Sequence, residues 1–178
     1  IFKNSHKGQY ILVSATFELT TENHTYNTSY GAIEQELESK GITELSPKVI
    51  SDAVIAIRAS KLPNSKVNGN AGSFFKNPIV ENKVFDAIKE KHKDAVGYSV
   101  SATHTKLAAG WLIDSLGWKG KTMGNAKVHS KQALVLINNQ AETGINVTGK
   151  EIWNLSEAII QDIQQKFDVT LEREVNII

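Results

Sequence analysis

The chain of 178 residues is 40% hydrophobic, enough to bury the core of one domain or of a small domain with part of another. Lys and Arg number 20 and Asp and Glu 19, and the net charge of +1 argues against a nucleic-acid-binding protein. The absence of cysteine excludes disulfides and thiolate metal sites and favours the reducing cytoplasm, and no apolar run reaches the roughly 20 residues of a membrane helix.

The first third of the chain is predicted to hold one strand and two helices. Residues 10–20 alternate apolar and polar side chains, which is the period of a strand. Residues 32–40 run up to a glycine and predict a short helix. Ser46 and Pro47 are typical of an N-cap and a first helical residue, and the apolar stripe that follows predicts a helix up to Arg58.

The remainder of the chain alternates helices and strands. Apolar stripes at helical spacing predict helices over residues 80–90 and 106–117, and a strand is predicted over 132–138. A capping-box pattern opens a helix over 148–167, and residues 169–178 alternate as a closing strand. Because these elements do not follow a strict βαβ order, the predicted fold class is α+β.

Residues 68–78, NGNAGSFFKNP, are the stretch most suggestive of a site. The glycines and asparagines permit left-handed backbone and let main-chain N–H groups approach a ligand, and Ser73 ends the glycine-rich run. The pattern is neither a phosphate-binding loop ending in Gly-Lys-Ser/Thr nor a GxGxxG dinucleotide loop. From the pattern alone, a structural loop and a binding loop remain alternatives.

Three blocks of sequence together resemble one enzyme family. They are KLP at 61–63 with KVNGNAGSFFKNP at 66–78, KLAAGWLIDSLGWKG at 106–120 with KVHSKQALVLIN at 127–138, and LEREVNII at 171–178. In this order they resemble the UDP-N-acetylenolpyruvoylglucosamine reductases. The resemblance implies an FAD-containing, NADPH-dependent oxidoreductase that converts UDP-N-acetylglucosamine enolpyruvate to UDP-N-acetylmuramate for peptidoglycan.

The resemblance also implies a domain arrangement. Residues 1–62 would be the C-terminal portion of an FAD-binding domain, 63–168 the substrate-binding domain, and 169–178 a strand that returns to the first domain. Most of the FAD-binding region is then expected upstream of Ile1. Since the chain does not begin with methionine and its only methionine is Met123, we expect a piece of a longer protein that is inactive by itself.

Two catalytic groups follow from the resemblance. Hydride from reduced flavin reaches the terminal carbon of the enolpyruvyl double bond, and the charge that spreads toward the substrate carboxylate needs hydrogen-bond donors. Ser73 would be the proton donor to the adjacent carbon, and Glu174 would stabilise the enol. The alternatives are an ordinary turn serine and, for Glu174 with Glu172, the solvated face of an edge strand.

Substrate contacts are implied by the same resemblance. A nucleotide sugar needs cations for its diphosphate and polar groups for its uracil and ribose. The residues implied to contact the substrate are Lys61, Asn77, Tyr98, Lys119 and Gln132, and Arg58 belongs to the neighbourhood where flavin and substrate meet. Tyr98 could instead be an exposed loop tyrosine, and Lys119 a helix-end lysine favoured by the dipole.

Other residues carry weaker expectations. The five histidines include no i, i+4 pair, so no metal site is predicted, and His129 either is packed or lines the site. Arg173 stands where many members of the resembled family have proline, and we expect this difference to be harmless. The rival hypothesis is a nucleotide-sugar binding module without redox chemistry of its own.

Overall fold

The computed structural model describes residues 5, 6 and 8–177. The chain divides into two compact units, Ile1–Val54 and Ile55–Ile178. The boundary between them falls within a helix, Pro47–Lys61, and all of the elements after this helix belong to the second unit.

The first unit contains a short helix and a long stretch without regular secondary structure. Helix α1 spans Ile33–Ser39 and buries its apolar residues one turn apart, which confirms the helix predicted here. Residues 11–20 are all exposed and form no strand, so the strand predicted over 10–20 is wrong. The physical reason is that side-chain alternation does not satisfy main-chain N–H and C=O groups, and no strand pairs with this stretch among the described residues.

Helix α2, Pro47–Lys61, begins where its N-cap signal predicts. The Ser46 hydroxyl oxygen accepts a hydrogen bond from the Val49 N–H at 3.2 Å, which satisfies one of the donors left unpaired at a helix start. The helix continues to Lys61, past its predicted end at Arg58, so that predicted boundary is wrong. It still stops ahead of Leu62, the residue that Pro63 restricts.

The second unit consists of two antiparallel sheets and the helices that cover them. The strands are β1 (Asn70–Ser73), β2 (Ile79–Glu81), β3 (Gly97–Ser99), β4 (His104–Leu107), β5 (Thr122–Met123), β6 (Ala126–Val128) and β7 (Val135–Asn138), and the helices are α3 (Asn82–Lys91), α4 (Ala109–Ser115), α5 (Gln140–Thr143) and α6 (Gly149–Phe167). One sheet has the order β1, β7, β6, β5 and the other β2, β4, β3.

This mixture of helices with antiparallel sheets confirms the α+β class. Judged by length and hydropathy, none of the helices in the described ranges could cross a membrane.

Helix α6 supplies the centre of the core. Leu155, Ile159 and Ile163 recur at helical spacing and are completely buried. The predicted capping box is present: the Thr148 hydroxyl oxygen accepts from the Glu151 N–H at 3.2 Å, and the Glu151 carboxylate accepts from the Thr148 N–H at 2.8 Å.

Three predicted boundaries are wrong at the starts of elements. The elements begin at Asn82 in place of residue 80, at Ala109 in place of residue 106, and at Val135 in place of residue 132. The antiparallel pairing of β2 with β4 uses the residues ahead of α3 and α4, and a turn precedes β7. Pairing between distant residues overrides the local helical stripe in the first two cases.

The closing segment, residues 169–177, is not the predicted strand. It makes one isolated bridge, between Phe75 and Arg173. The predicted alternation of its side chains is present only in part: Val169 and Leu171 are buried and both glutamates are exposed, but Ile177, predicted on the apolar face, is exposed as well.

Candidate active site

The glycine-rich loop contains a bulge next to Ser73. In the pairing of β1 with β7, Asn70 lies opposite Ile137 and Ser73 opposite Val135, so β1 holds one residue more than its partner between these pairs. Gly72 has a φ of +75°, which glycine adopts without steric strain, and its N–H donates to Asn70 Oδ1 at 3.0 Å. A bulge of this kind changes the direction of the side chain that follows it.

The residues after the bulge lie between two other segments. The Phe74 N–H donates to the carbonyl oxygen of Leu134 at 2.8 Å, and the Phe74 carbonyl accepts from the Glu174 N–H at 2.8 Å. The Lys76 N–H donates to the carbonyl oxygen of Glu172 at 2.9 Å. The closing segment therefore runs antiparallel alongside the glycine-rich loop.

A cavity of about 430 Å³ lies beside the bulge, and three of the predicted site residues line it: Ser73, Gln132 and Arg58. Its full lining is Arg58, Leu62, Pro63, Ser65, Asn70, Gly72, Ser73, Gln132 and Val135. A Cβ at Gly72 would meet no heavy atom within 4 Å, so the space beside the main chain is open there. Ligand pockets commonly have about 300–1,000 Å³ and a mixed lining of this kind.

Arg58 brings positive charge to this cavity. It lies in the last turn of α2, is exposed, and forms no ion pair with a carboxylate in the part of the chain that the structure describes. A guanidinium presents five donors in a planar fork that matches carboxylates and phosphates. Lys61 follows one turn later on the same helix, also exposed, and does not line the cavity.

Glu174 is exposed and does not line the cavity beside Ser73. A second cavity, of about 720 Å³, is lined by its neighbour Val175 together with Phe74 and Trp153. Ser73 and Phe74 are consecutive, and each lines a different cavity. The hydrogen bond from the Glu174 N–H to the Phe74 carbonyl thus places Glu174 next to the glycine-rich loop, which borders both cavities.

The three other residues implied to contact a substrate lie elsewhere on the second unit. Asn77 accepts a hydrogen bond at its Oδ1 from the Ala109 N–H at 2.9 Å and so caps the start of α4. Tyr98 is exposed on β3, and Lys119 forms an ion pair with Asp114. None of the three lines the cavity beside Ser73.

Sequence reasoning missed Lys106 as a candidate. Lys106 lies directly opposite Tyr98 in the pairing of β3 with β4, so the two side chains share one face of this sheet. It is half-buried and forms no ion pair with a carboxylate within the described ranges, unlike Lys119. No local signal could have revealed it, because the register of β3 on β4 depends on pairing rather than on the residues next to Lys106.

His129 is a packed residue and does not line the cavity beside Ser73. Its Nδ1 is buried without a hydrogen-bond partner. Burial, followed by the charges of Lys131 and Lys127, lowers the pKa of His129 below its usual value, which favours the neutral ring. No cluster of three or more side chains able to hold a metal ion occurs in the described part of the chain.

The fold is an α+β domain with a cavity whose polar lining comes from the glycine-rich loop, the end of α2 and the turn before β7. Residues 63–178 match the family described as UDP-N-acetylenolpyruvoylglucosamine reductase, C-terminal domain. The chain belongs to this family.

Similar proteins extend the match beyond the C-terminal domain. The chain is 48% identical over its whole length to a UDP-N-acetylenolpyruvoylglucosamine reductase of Flavobacterium johnsoniae, and covers 51% of that protein. Proteins of the same name from Burkholderia vietnamiensis and Paraburkholderia phymatum are 43% and 44% identical over 97% of the chain, which covers 48% and 49% of them. The chain therefore spans about half the length of these relatives.

Proposed function

We propose that this chain is the substrate-binding part of a UDP-N-acetylmuramate dehydrogenase, which uses FAD and NADPH to reduce UDP-N-acetylglucosamine enolpyruvate in peptidoglycan synthesis. Residues 63–168 bind the substrate in this proposal. Residues 1–62 and 169–178 belong to an FAD-binding domain, completed by the part of the relatives that this chain does not span. The lack of cysteine and the nucleotide-sugar substrate fit the cytoplasm.

The observation that carries the proposal is the meeting of Ser73, Arg58 and Gln132 at one cavity in a chain of this family. A hydroxyl, a cation and an amide are the groups needed to protonate a carbon, to bind a carboxylate, and to orient a polar substrate. The name shared by the family and its members favours a reductase over a nucleotide-sugar binding module.

The lining of this cavity fits the reacting end of a flavin and its substrate. Leu62, Pro63 and Val135 offer apolar contacts to the faces of a planar ring, and the open space at Gly72 lets a ring approach the main chain. Arg58 suits an anionic neighbour. When bound, the flavin, reduced by NADPH, supplies the hydride that the terminal carbon of the double bond receives.

Ser73 is proposed to complete the reduction by transferring its hydroxyl proton to the adjacent carbon. The C=C double bond then becomes a single bond with one new hydrogen on each carbon, and the serine oxygen regains a proton from solvent. A serine hydroxyl is a weak acid, so a cation close to it favours the transfer, and Arg58 lines the same cavity.

Glu174 is proposed to stabilise the enol-like species that forms as charge develops on the substrate carboxylate. Its N–H bond to Phe74 brings it beside the loop of Ser73. Glu172, two residues earlier, forms an exposed ion pair with Lys76 and is left outside this role.

Substrate binding is assigned to polar groups around the loop. The proposed contacts are Lys61, Asn77, Tyr98, Lys119 and Gln132, and the register of β3 on β4 adds Lys106. Lys106 is free of carboxylate partners in the described part of the chain, and a free cation is the better ligand for a diphosphate. Lys119 would first have to leave Asp114.

The test uses the full-length protein. Its flavin spectrum should be bleached by NADPH and restored by UDP-N-acetylglucosamine enolpyruvate. In Ser73→Ala, bleaching should stay within about two-fold of the parent while reoxidation slows by about 10²–10⁴-fold, the size of a lost proton donor. Ser51→Ala, an exposed serine on α2, is the control and should leave both steps unchanged.

Two results would contradict the proposal. Parental reoxidation in Ser73→Ala would remove the proton-donor role. A full-length protein that binds the nucleotide sugar and never takes up flavin would instead support the binding module.

A further inference from the structure

Arg173 joins the closing segment to helix α6 through three neighbouring side chains. Its Nε donates to Ser156 Oγ at 2.8 Å, its Nη2 forms an ion pair with the Glu157 carboxylate, and its guanidinium carbon lies 3.9 Å from the centroid of the Trp153 ring. Ser156 and Glu157 follow Trp153 by three and four residues, which places each of them next to Trp153 on the helix surface.

These contacts are partly shielded from water. Ser156 is completely buried, and the side chain of Arg173 is 16% exposed. Hydrogen bonds to charged groups and cation contacts with aromatic rings are stronger in such places than at the open surface. The other ion pair of the closing segment, Lys76 with Glu172, is 44% and 71% exposed and is therefore screened by salt.

The backbone alone connects the closing segment to the loop at few points. Among the described residues, the N–H groups of Glu174 and Lys76 make the two main-chain hydrogen bonds, one on each side of the bridge between Phe75 and Arg173. In this arrangement Arg173 is a non-hydrogen-bonded pair member, and its own N–H points away from the loop. Segments with so few backbone bonds open locally at low free energy.

We propose that Arg173 is a positioning residue for Glu174. By fixing the closing segment to helix α6, it keeps that segment in register and the Glu174 carboxyl beside the glycine-rich loop. This inference rests on the proposed function. The resemblance to the family implied no role for Arg173. In the structure its side chain makes the contacts that attach the closing segment to helix α6.

Amide hydrogen exchange of the full-length protein tests the attachment without any turnover. Arg173→Met should raise the exchange rates of the Glu174 and Lys76 N–H groups by about 10-fold or more, because the segment opens more often. Lys127→Met is the matched control: Lys127 is also 16% exposed and forms an ion pair with Glu142, far along the chain from the segment. It should leave both amides unchanged.

Kinetics test the effect on Glu174. Arg173→Met should slow flavin reoxidation by the nucleotide sugar by about 10-fold with KM and NADPH reduction nearly unchanged, as expected for a displaced catalytic group. In a Glu174→Gln background the same substitution should slow it by less than about two-fold further, because the group it positions is already lost. A residue that acts only on stability would give equal factors in both backgrounds.

Two further variants keep the test decisive if Arg173→Met does not fold. Arg173→Lys retains the charge without the planar fork, and Glu157→Gln removes one partner of Arg173. Each should therefore raise the exchange rate of the Glu174 N–H, but by less than the roughly 10-fold expected for Arg173→Met. Unchanged exchange in all of the folded variants would overturn the proposal, as would equal factors in both backgrounds. Faster exchange together with parental turnover of Glu174→Gln would retain the attachment and reject the catalytic role of Glu174 instead.

Discussion

The N–H of Glu174 donates to the carbonyl oxygen of Phe74 at 2.8 Å, so the closing segment meets the loop at the residue after Ser73. Ser73 lines a cavity with Arg58 and Gln132, while Phe74 and the residue after Glu174 line another. This hydrogen bond joins the segment of Glu174 to the loop of Ser73, the two residues proposed to act on the substrate. The position of Glu174 depends on this contact, which no local pattern encodes.

The two glutamates of the closing segment allow a direct comparison. Glu174→Gln in the full-length protein should slow flavin reoxidation by about 10²-fold, because an amide cannot share a proton with the developing enol as a carboxyl group can. Glu172→Gln breaks only the exposed pair with Lys76 and should leave reoxidation within about two-fold, since such pairs contribute little. Stopped-flow absorbance after NADPH reduction measures both. Equal reductions of the reoxidation rate in the two variants would show that the rate depends on the closing segment as a whole and not on the Glu174 carboxyl.

Asn77 combines a structural contact with a proposed substrate contact, and two substitutions separate them. Asn77→Ala leaves the buried Ala109 N–H without an acceptor and should lower the free energy of unfolding by about 1–2 kcal/mol. Asn77→Asp keeps an acceptor at the start of α4, where a negative charge is favourable, and should retain stability. It loses the amide donors, however, and should raise KM for the anionic nucleotide sugar.

Thermal unfolding and steady-state kinetics of the full-length variants provide the two measurements. If Asn77→Asp binds the substrate with the parental KM, the residue is a helix cap alone and its assignment to the substrate is wrong.

The sequence predicted what local chemistry determines and failed where distant residues decide. The capping box of Thr148 and Glu151 and the N-cap at Ser46 place helix starts correctly, because their hydrogen bonds lie within one turn. Residues 11–20 alternate like a strand, but no strand pairs with them in the described ranges, because strand pairing needs a second segment.

The candidate site divides in the same way. Ser73 is marked by a long motif within one loop, and Gln132 by a second block of the resemblance. Lys106 and the attachment of Arg173 to α6 arise from strand register and from packing between segments, so the sequence around each residue holds no sign of them. The resemblance to the family implied no role for Arg173 either.

Gly97 is required for packing beneath β3. A Cβ at this position would lie 2.7 Å from Phe85 Cε2 and 2.8 Å from Thr105 Cγ2, both too close for ordinary contact. Gly97→Ala should therefore lower the free energy of unfolding by about 1–3 kcal/mol, the usual effect of overpacking. Gly149→Ala is the matched control, since a Cβ there meets nothing within 4 Å and the residue begins helix α6. It should be neutral or stabilising by up to about 1 kcal/mol in chemical denaturation, and equal losses in the two variants would contradict the packing argument.

The Glu151 carboxyl at the start of helix α6 is expected to make the free energy of unfolding decrease at acid pH. Hydrogen bonds from the N–H groups of Thr148 and Asn125 hold the pKa of the Glu151 carboxyl at about 2, below its ordinary 4.5. Between these two values the unfolded chain binds a proton that the folded chain does not, so falling pH favours unfolding through this group. Its stabilising effect is complete above about pH 4.5 and lost as the pH falls through about 2.

Glu151→Gln should accordingly have a lower melting temperature than the parent at pH 7. The difference should persist down to about pH 4.5 and shrink toward zero near pH 2, because the parental carboxyl is then protonated as well. Circular dichroism melts at pH 7, 4.5, 3 and 2 on the full-length pair measure it, with Glu90→Gln on the exposed face of α3 as a control that should be near neutral at pH 7. A difference in melting temperature that stays constant down to pH 2 would contradict this explanation. It would show that Glu151→Gln destabilises the helix through altered hydrogen-bond geometry and not through the loss of the charge.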